Sequence, residues 1–386
     1  MGKLSLFALF LALTYSLAGQ RTCYVDTSLV QQGLPVRITL REELQVQVVV
    51  HIVWRDITEN ISDAQIHSQI DALNRDFNQT NLMALPKDFQ HLAAQVNIHF
   101  CLASIDPQGF PSTGITRTQT SQEAIGIAIA PGQRQAIHYS NHGGQDGWPP
   151  DKYINIWVGN LAGLYGRASM PGGARHPEED GLVIDTRYFG MVGRVAYPYH
   201  LGRTLVHEMG HYLGLDHPWG AIQNECIEDD GISDTPPQLG PHLGCPPHPQ
   251  PGCFGPAMFM NFMELGDDPC LLAFTAGQVA VMRQVLMEVR SGLLSNKCIN
   301  QSSSLTDTSF KILHFPTSRH LVVHFLSPLQ SSVNVEFFNI QGQRIFSYQS
   351  PHQWTGIIPI SEEVTGFYFI VLRQAGNVVT KKVFIP

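Results

Sequence analysis

The chain has 386 residues, of which 43% are hydrophobic and 15% charged, a balance that excludes a disordered polyelectrolyte and leaves ample material for a core. A formal charge of −8 with no long basic run argues against a nucleic-acid partner. The length predicts one enzyme-sized unit and a smaller second one.

Residues 1–19, MGKLSLFALFLALTYSLAG, place one Lys before an apolar run that ends in small residues, the layout of a secretory signal peptide cut near Ala18 or Gly19. No later segment approaches the roughly 20 apolar residues of a membrane helix. Export makes disulfides chemically reasonable, and seven cysteines are an odd number, so at least one thiol falls outside intramolecular pairing. QVQVVVHI (46–53) reads as a buried strand. Ser62 and Gln65 fit a capping box for a helix whose Ile66, Ile70, Leu73 and Phe77 repeat at helical spacing. Further strands are expected at 96–103, 153–159 and 181–185, which together with the helices gives an α+β core.

From His217 to Asn261 the chain turns rich in Pro, Gly and Cys, and no regular element is expected there. Cys226, Cys245 and Cys253 suggest that this segment is covalently tied. A helical pattern resumes near Ala276 with Val279, Met282, Leu286 and Val289 on one face. The polar run 301–308 reads as a linker. Beyond it, LVVHFL, VNVEFFNI, GIIPI, FYFIVLR and VVTKKVFI alternate between turn signals, the pattern of a small all-β sandwich. That domain carries no cluster of His, Cys or carboxylates, so no catalysis is placed in it.

The chemistry concentrates in LGRTLVHEMGHYLGLDH (201–217). His207 and His211 are four apart and emerge from one helix face, where they can share a metal. Gly214 is suited to end the helix in the left-handed conformation, letting His217 return as a third nitrogen. Three neutral imidazoles leave one position of a tetrahedral zinc for water, a catalytic rather than a structural arrangement. Glu208 is then placed to take the proton of the zinc-bound water as general base. The expected function is a zinc-dependent endopeptidase; the alternative is an adhesion or binding protein built on an inactive zinc fold. Glu208 speaks against the alternative, since loss of the base is the simplest way to disable such a site.

The extended HExxHxxGxxH form is that of the metzincins, which place a methionine turn beneath the zinc, and NFMELGDDPC (261–270) offers Met263 for it. From about 45 to 300 the chain resembles the pappalysin family of metzincins, its ulilysin-like branch in particular. The resemblance is carried by SDAQIHSQIDALNRDF, NIHFCLASIDPQGFPSTGITR, YINIWVGNLAGLYGRASMPGG, the zinc motif, DDGISDTP, and NFM followed by FTAGQVAVMR. It implies a two-lobed zinc protease domain acting on proteins and peptides, with disulfides Cys226–Cys253 and Cys245–Cys270. It also implies a calcium ion held by Asp230, Thr235 and the Ser233 carbonyl, with Asp229 and Asp234 close by. Family members often carry Tyr two residues after the turn methionine; Leu265 stands there in this chain, and no replacement is assigned. Asp267 and Asp268 are candidates to line the pocket after the scissile bond and favour Arg or Lys.

Related proenzymes use a prosegment thiolate as a fourth zinc ligand. Cys23, ahead of the catalytic domain, is the candidate here; if Cys101 pairs with Cys298, it is the cysteine left over. Residues 20–45 are accordingly expected to form a removable segment, cut near Arg37 or Arg41. The last 80 or so residues, through FFNIQGQRIF, ISEEVTGFYFIVLR and KKVFIP, resemble the C-terminal sorting domains of type IX secretion substrates. That resemblance implies secretion machinery as a partner and a secreted or cell-surface destination. The expected domains are signal peptide 1–19, prosegment 20–45, metalloprotease 46–300, linker 301–308 and sorting domain 309–386.

Overall fold

The computed structural model describes residues 23–25, 42–78, 82–110, 112–127, 134–174, 176–221, 225–295 and 298. In the C-terminal region it describes 310–315, 320–325, 333–350, 355–359, 365–374 and 377–385. The expected signal peptide, the linker, Arg37 and Arg41 lie outside the described residues.

Strand β1 (Cys23–Val25) is followed by β2 (Leu44–Trp54), whose β-branched residues are buried along its length, and by helix α1 (Asp63–Asn78). The Ser62 hydroxyl accepts from Gln65 N–H at 3.2 Å, but the expected capping box is only half formed, because the Gln65 amide donates to Thr186 O and Phe189 O instead of returning to Ser62. Then come α2 (Lys87–Gln90), β3 (Ala93–Ala94), β4 (Ile98–Leu102), β5 (Ile115–Gln119), β6 (Ile154–Gly159), β7 (Gly166–Ala168) and β8 (Leu182–Asp185). The zinc-motif helix is α3 (Arg203–Tyr212), followed by β9 (Phe274–Thr275) and α4 (Ala276–Gln284).

One sheet has the order β1-β7-β8-β6-β2-β4, with β5 also on β2. Its pairings are parallel except where β7 runs antiparallel to β8. Ile66, Ile70, Leu73 and Phe77 of α1 and Leu205, Val206 and Met209 of α3 form one buried cluster with Val46, Val48, Val50 and Ile52 of β2, so both helices lie on one face of the sheet. Phe262, Met263, Leu271 and Phe274 of the lower region join the same cluster, which continues the core beneath α3.

Two expectations need correction. Val289 does not complete the face of the last helix: α4 passes into a π-helical turn over Val285–Val289, and the wider turn rotates Val289 outward to 52% exposure while Val279, Met282 and Leu286 stay buried. Short strands β5 and β7 arise where no apolar alternation announced them; both are set by ladder pairing with β2 and β8.

The C-terminal region is all-β and antiparallel. Strands β10 (Phe310–Phe315), β11 (His320–Phe325) and β14 (Thr355–Pro359) form one sheet; β13 (Arg344–Ser350), β12 (Val333–Asn339), β15 (Gly366–Gln374) and β16 (Asn377–Ile385) form the other in that order. Val323 meets Val333, Val335, Phe337, Ile370, Leu372 and Ile385 in its core, so residues of both sheets share one interior.

Candidate metal centre and active-site cleft

Helix α3 presents His207 and His211 on one face and stops where glycine allows it. Gly214 has φ +93°, its N–H donates to His211 O at 2.9 Å, and Leu215 N–H donates to Gly210 O at 2.9 Å. This paired closure reverses the chain and brings His217 back to the helix. A side chain at that backbone conformation costs about 1–2 kcal/mol. The Nε2 atoms of His207 and His211 lie 3.1 Å apart, those of His211 and His217 3.2 Å, and those of His217 and His207 3.3 Å.

The imidazole protons are located by their partners. His207 Nδ1 lies 2.9 Å from Phe262 O, and His211 Nδ1 lies 2.7 Å from Leu215 O. A carbonyl only accepts, so both Nδ1 atoms donate and both Nε2 atoms present lone pairs inward. Converging lone pairs cannot bond one another, and they repel unless a cation lies among them. The spacing fits zinc: nitrogens held tetrahedrally at about 2.0–2.1 Å stand about 3.3 Å apart. Burial pushes the pKa of His211 down to about 4, partly offset by its bond to Leu215, and holds that of His217 well below its ordinary value. Both rings are therefore neutral at neutral pH, the form in which an imidazole can bind a metal. Among the described residues, these three histidines are the group of His, Cys, Asp and Glu side chains close enough to share an ion.

The turn at Asn261–Met263 supports the group from below. Phe262 supplies the carbonyl that orients His207, and Asn261 accepts from Met263 N–H at 2.9 Å while exchanging hydrogen bonds with Gln278 at 2.8 and 3.2 Å. A Cβ on Gly210 would fall 2.3 Å from Met263 Sδ. The glycine inside the histidine motif is thus what lets the methionine pack against the helix.

Glu208 is 1% exposed and faces β7, which lies between β1 and β8 in the sheet. A Cβ on Gly166 would lie 3.0 Å from its Oε1 and 2.9 Å from its Cγ. On the other edge of β7, β1 pairs in parallel with Cys23 in register with Gly166. The backbone of Cys23 therefore lies beside the glycine that faces Glu208.

Three supports of this cleft were invisible to motif reading. Gly202 caps α3 without a side chain, and Asp268, remote in sequence, serves instead: its Oδ2 accepts from Leu201 N–H at 2.7 Å and Arg203 N–H at 3.3 Å. Asp268 is fully buried in that role, which corrects its expected place in a substrate pocket. Arg290 donates to Tyr212 O at the end of α3, to Ser169 O just after β7, and to both oxygens of Asp180 at 2.6 and 3.1 Å, with its guanidinium 3.6 Å from the Tyr212 ring. It straps α3 to the end of β7. Glu264, also fully buried, accepts from His242 N–H, Leu265 N–H and the Gln238 amide, anchoring the Cys-rich loop to the methionine turn.

Disulfides join Cys226 to Cys253, Cys245 to Cys270 and Cys101 to Cys298. In the loop after His217, Thr235 is buried and Ser233 exposed. Asp230 Oδ1 accepts from Ile232 N–H at 3.0 Å, while its Oδ2 is buried with no hydrogen-bond partner among the described residues. Burial raises the pKa of Asp230 to about 7, partly offset by Ile232 N–H and the Thr235 side chain. Asp234 is committed elsewhere: its carboxylate accepts from the Thr275 hydroxyl and Gly277 N–H, both at 2.8 Å, at the start of α4.

A buried three-histidine centre on a helix, with an adjacent glutamate, a supporting methionine turn and strand β7 beside the glutamate, defines a metzincin-type zinc metalloendopeptidase. Comparison with known proteins gives the family. The family model described as Pregnancy-associated plasma protein-A, peptidase family M43, matches residues 138–287, and one described as Secretion system C-terminal sorting domain matches 315–386. The chain is 39% identical to Tannerella forsythia mature mirolysin solved in complex with a cleaved peptide, over 66% of this chain and 96% of that one, at a TM-score of 0.62. A Tannerella forsythia promirolysin variant matches at 39% identity over 67% of this chain and 86% of that one, with a TM-score of 0.63. An extracellular metalloprotease of Arthroderma otae is 26% identical over 256 residues, 64% of this chain and 80% of its own length. The chain belongs to the pappalysin family of metalloendopeptidases; it is a secreted zinc endopeptidase exported through type IX secretion. No helix among the described residues is long and apolar enough to cross a membrane.

Proposed function

We propose that His207, His211 and His217 hold the zinc through Nε2 and that Glu208 is the general base of peptide-bond hydrolysis. The observation that carries this is the triangle of Nε2 lone pairs, with both helix protons turned outward onto carbonyls and Glu208 one residue along the same helix. Zinc, when bound, supplies Lewis acidity that polarises a scissile carbonyl and acidifies water. Glu208 takes a proton from the attacking water and returns it to the leaving amine. Once the segment carrying β1 is removed, the edge of β7 that β1 covers holds the substrate backbone as an added strand, which brings a peptide past Gly166 and hence past Glu208. Cleavage of casein by the secreted enzyme that survives both zinc chelation and Glu208→Ala would overturn this assignment.

The domain boundaries 1–19, 20–45, 46–300, 301–308 and 309–386 are part of the same proposal, as is latency through Cys23. A prosegment strand beside Gly166 occupies the edge a substrate needs, and in the proposed latency the Cys23 thiol serves as an added zinc donor. Precursor carrying Cys23→Ala is expected to cleave casein at least about tenfold faster than wild-type precursor, since a contact of only about 1.4 kcal/mol shifts the latent population that far. Equal activity of the two precursors would refute the thiol's role.

Calcium is proposed for Asp230, Ser233 and Thr235, because a buried carboxylate oxygen lacking a donor suits a hard cation. Without the ion, the raised pKa makes stability fall as pH climbs from about 4 to about 7, because the folded chain holds a proton that the unfolded chain has lost. Calcium at a hundredfold excess over Kd is expected to raise Tm by about 5 °C or more, with a larger rise at pH 7.5 than at pH 5 and little in Asp230→Asn. A calcium response unchanged in Asp230→Asn would reject the site.

A further inference from the structure

The sheet also ends in a polar cavity that hydrolysis itself does not use. It encloses about 410 Å³ among Glu59, Asn160, Gly163, Asp185, Arg187 and Arg194, at the carboxyl ends of the parallel strands β2, β6 and β8. Open parallel sheets hold ligands in that position. Two arginines and two carboxylates cancel in charge there, but their hydrogen-bonding capacity does not cancel.

The acceptors are spent on the protein. Asp185 is 1% exposed; its Oδ1 accepts from Arg187 N–H at 3.0 Å and Arg187 Nε at 2.8 Å, and its Oδ2 accepts from Leu161 N–H at 3.1 Å and Arg187 Nη2 at 3.2 Å. Glu59 accepts from the N–H groups of Arg55 and Asp56 and from the Asn160 amide. Donors remain. Among the described residues, Arg187 Nη1 makes no hydrogen bond, and the exposed Arg194 guanidinium, near enough for its charge to act on the Asp56 carboxylate, forms no hydrogen bond or close ion pair with it.

Strand β7 ties this cavity to the cleft. Gly166 faces Glu208, and Gly163, three residues earlier, lines the cavity. Gly163 lies in the turn that leads into β7, so the two glycines are at most about 10 Å apart. Tyr165, next to Gly166, stacks on Tyr188 at 3.8 Å, and the Arg187 guanidinium sits 5.3 Å from the Tyr188 ring. A peptide laid antiparallel on β7, the direction with the stronger ladder, sends the residues after its scissile bond toward Gly163.

We propose that Arg187 and Arg194 form a carboxylate subsite for the second or third residue after the scissile bond. The carboxylate comes from an acidic side chain or from the peptide's own C-terminus, and guanidinium forks suit either. The subsite rests on the hydrolytic reading above and adds a preference to it. The test uses the secreted enzyme made from the full chain and C-terminally amidated peptides with Asp, Asn or Lys at those two positions. A second arm compares peptides that end there as free acid or as amide. Asp over Asn, or acid over amide, is expected to raise kcat/KM about fivefold, an advantage that shrinks in high salt. In Arg194→Glu, an exposed position, the preference should invert toward Lys. Equal rates in both arms, or an Asp preference unchanged in Arg194→Glu, would overturn the subsite while leaving hydrolysis intact. Failure to cleave any of the peptides would instead remove the hydrolytic reading beneath it.

Discussion

Glu208→Ala is expected to lower kcat/KM on casein by about 10²–10⁴-fold with zinc content unchanged, the range that a positioned acid–base group contributes. His207 and His211 are oriented by the carbonyls of Phe262 and Leu215, so removing the glutamate leaves both of those hydrogen bonds in place. Glu208→Gln, which keeps the shape and removes the base, should fall as far. Glu208→Asp should fall about 10²-fold, because shortening the side chain by one methylene draws the carboxylate back by about 1 Å or more. Gly166→Ala supplies a further check, since its Cβ would press on Oε1 and Cγ of Glu208 as well as on Ile184 Cδ1, with no imidazole among the atoms it meets first. It should lower kcat while zinc content holds. A Glu208→Ala enzyme with near-normal kcat and full zinc would show that the base lies elsewhere.

The parts of this site that were legible in the sequence are those with local causes. His207, His211 and Gly214 could be read because helical periodicity and the left-handed glycine turn act within a few residues. The buried strands β2, β6 and β8 were legible because continuous apolar runs mark strands covered on both faces. What stayed hidden depends on partners distant in sequence. Asp268 caps a helix that starts 65 residues before it, and Arg290 meets Asp180 across 110 residues, so no window of sequence contains either contact. Strand β7 has three residues and takes its place from β8 rather than from its own pattern. The π-helical turn at Val285–Val289 inserts a register change that a fixed period of 3.6 cannot anticipate. The acidic pair after the methionine turn shows the opposite error: Asp268 suggested a basic-side-chain pocket by proximity, but a buried carboxylate goes first to unpaired helix N–H groups.

Chelation of the zinc should abolish proteolysis, and added zinc should restore it. His217→Ala should lose both activity and stoichiometric zinc, because two remaining nitrogens do not hold the ion as three do. The pH at which metal is lost gives a sharper check. In the unfolded chain an imidazole takes its proton near 6.5, whereas burial keeps His211 neutral down to about 4 and His217 lower than usual as well. Between those values the unfolded chain binds more protons than the folded one, so stability due to these rings is full above about pH 6.5 and is lost as pH falls toward 4. Protons compete with metal at the same Nε2 lone pairs, so zinc should stay bound during dialysis at pH 5.5 and leave as pH approaches 4. Release with a midpoint near 6.5 would mean the imidazoles are hydrated and open rather than buried. Replacing Phe262 would not separate these cases, since its carbonyl belongs to the backbone. Trp219 does separate them: its ring stacks on His217 at 4.6 Å with planes 8° apart, shielding that ligand from water. Trp219→Ala should therefore raise the pH of zinc loss while leaving the Nδ1 bonds of His207 and His211 untouched, and an unchanged release curve would place the protection of His217 elsewhere.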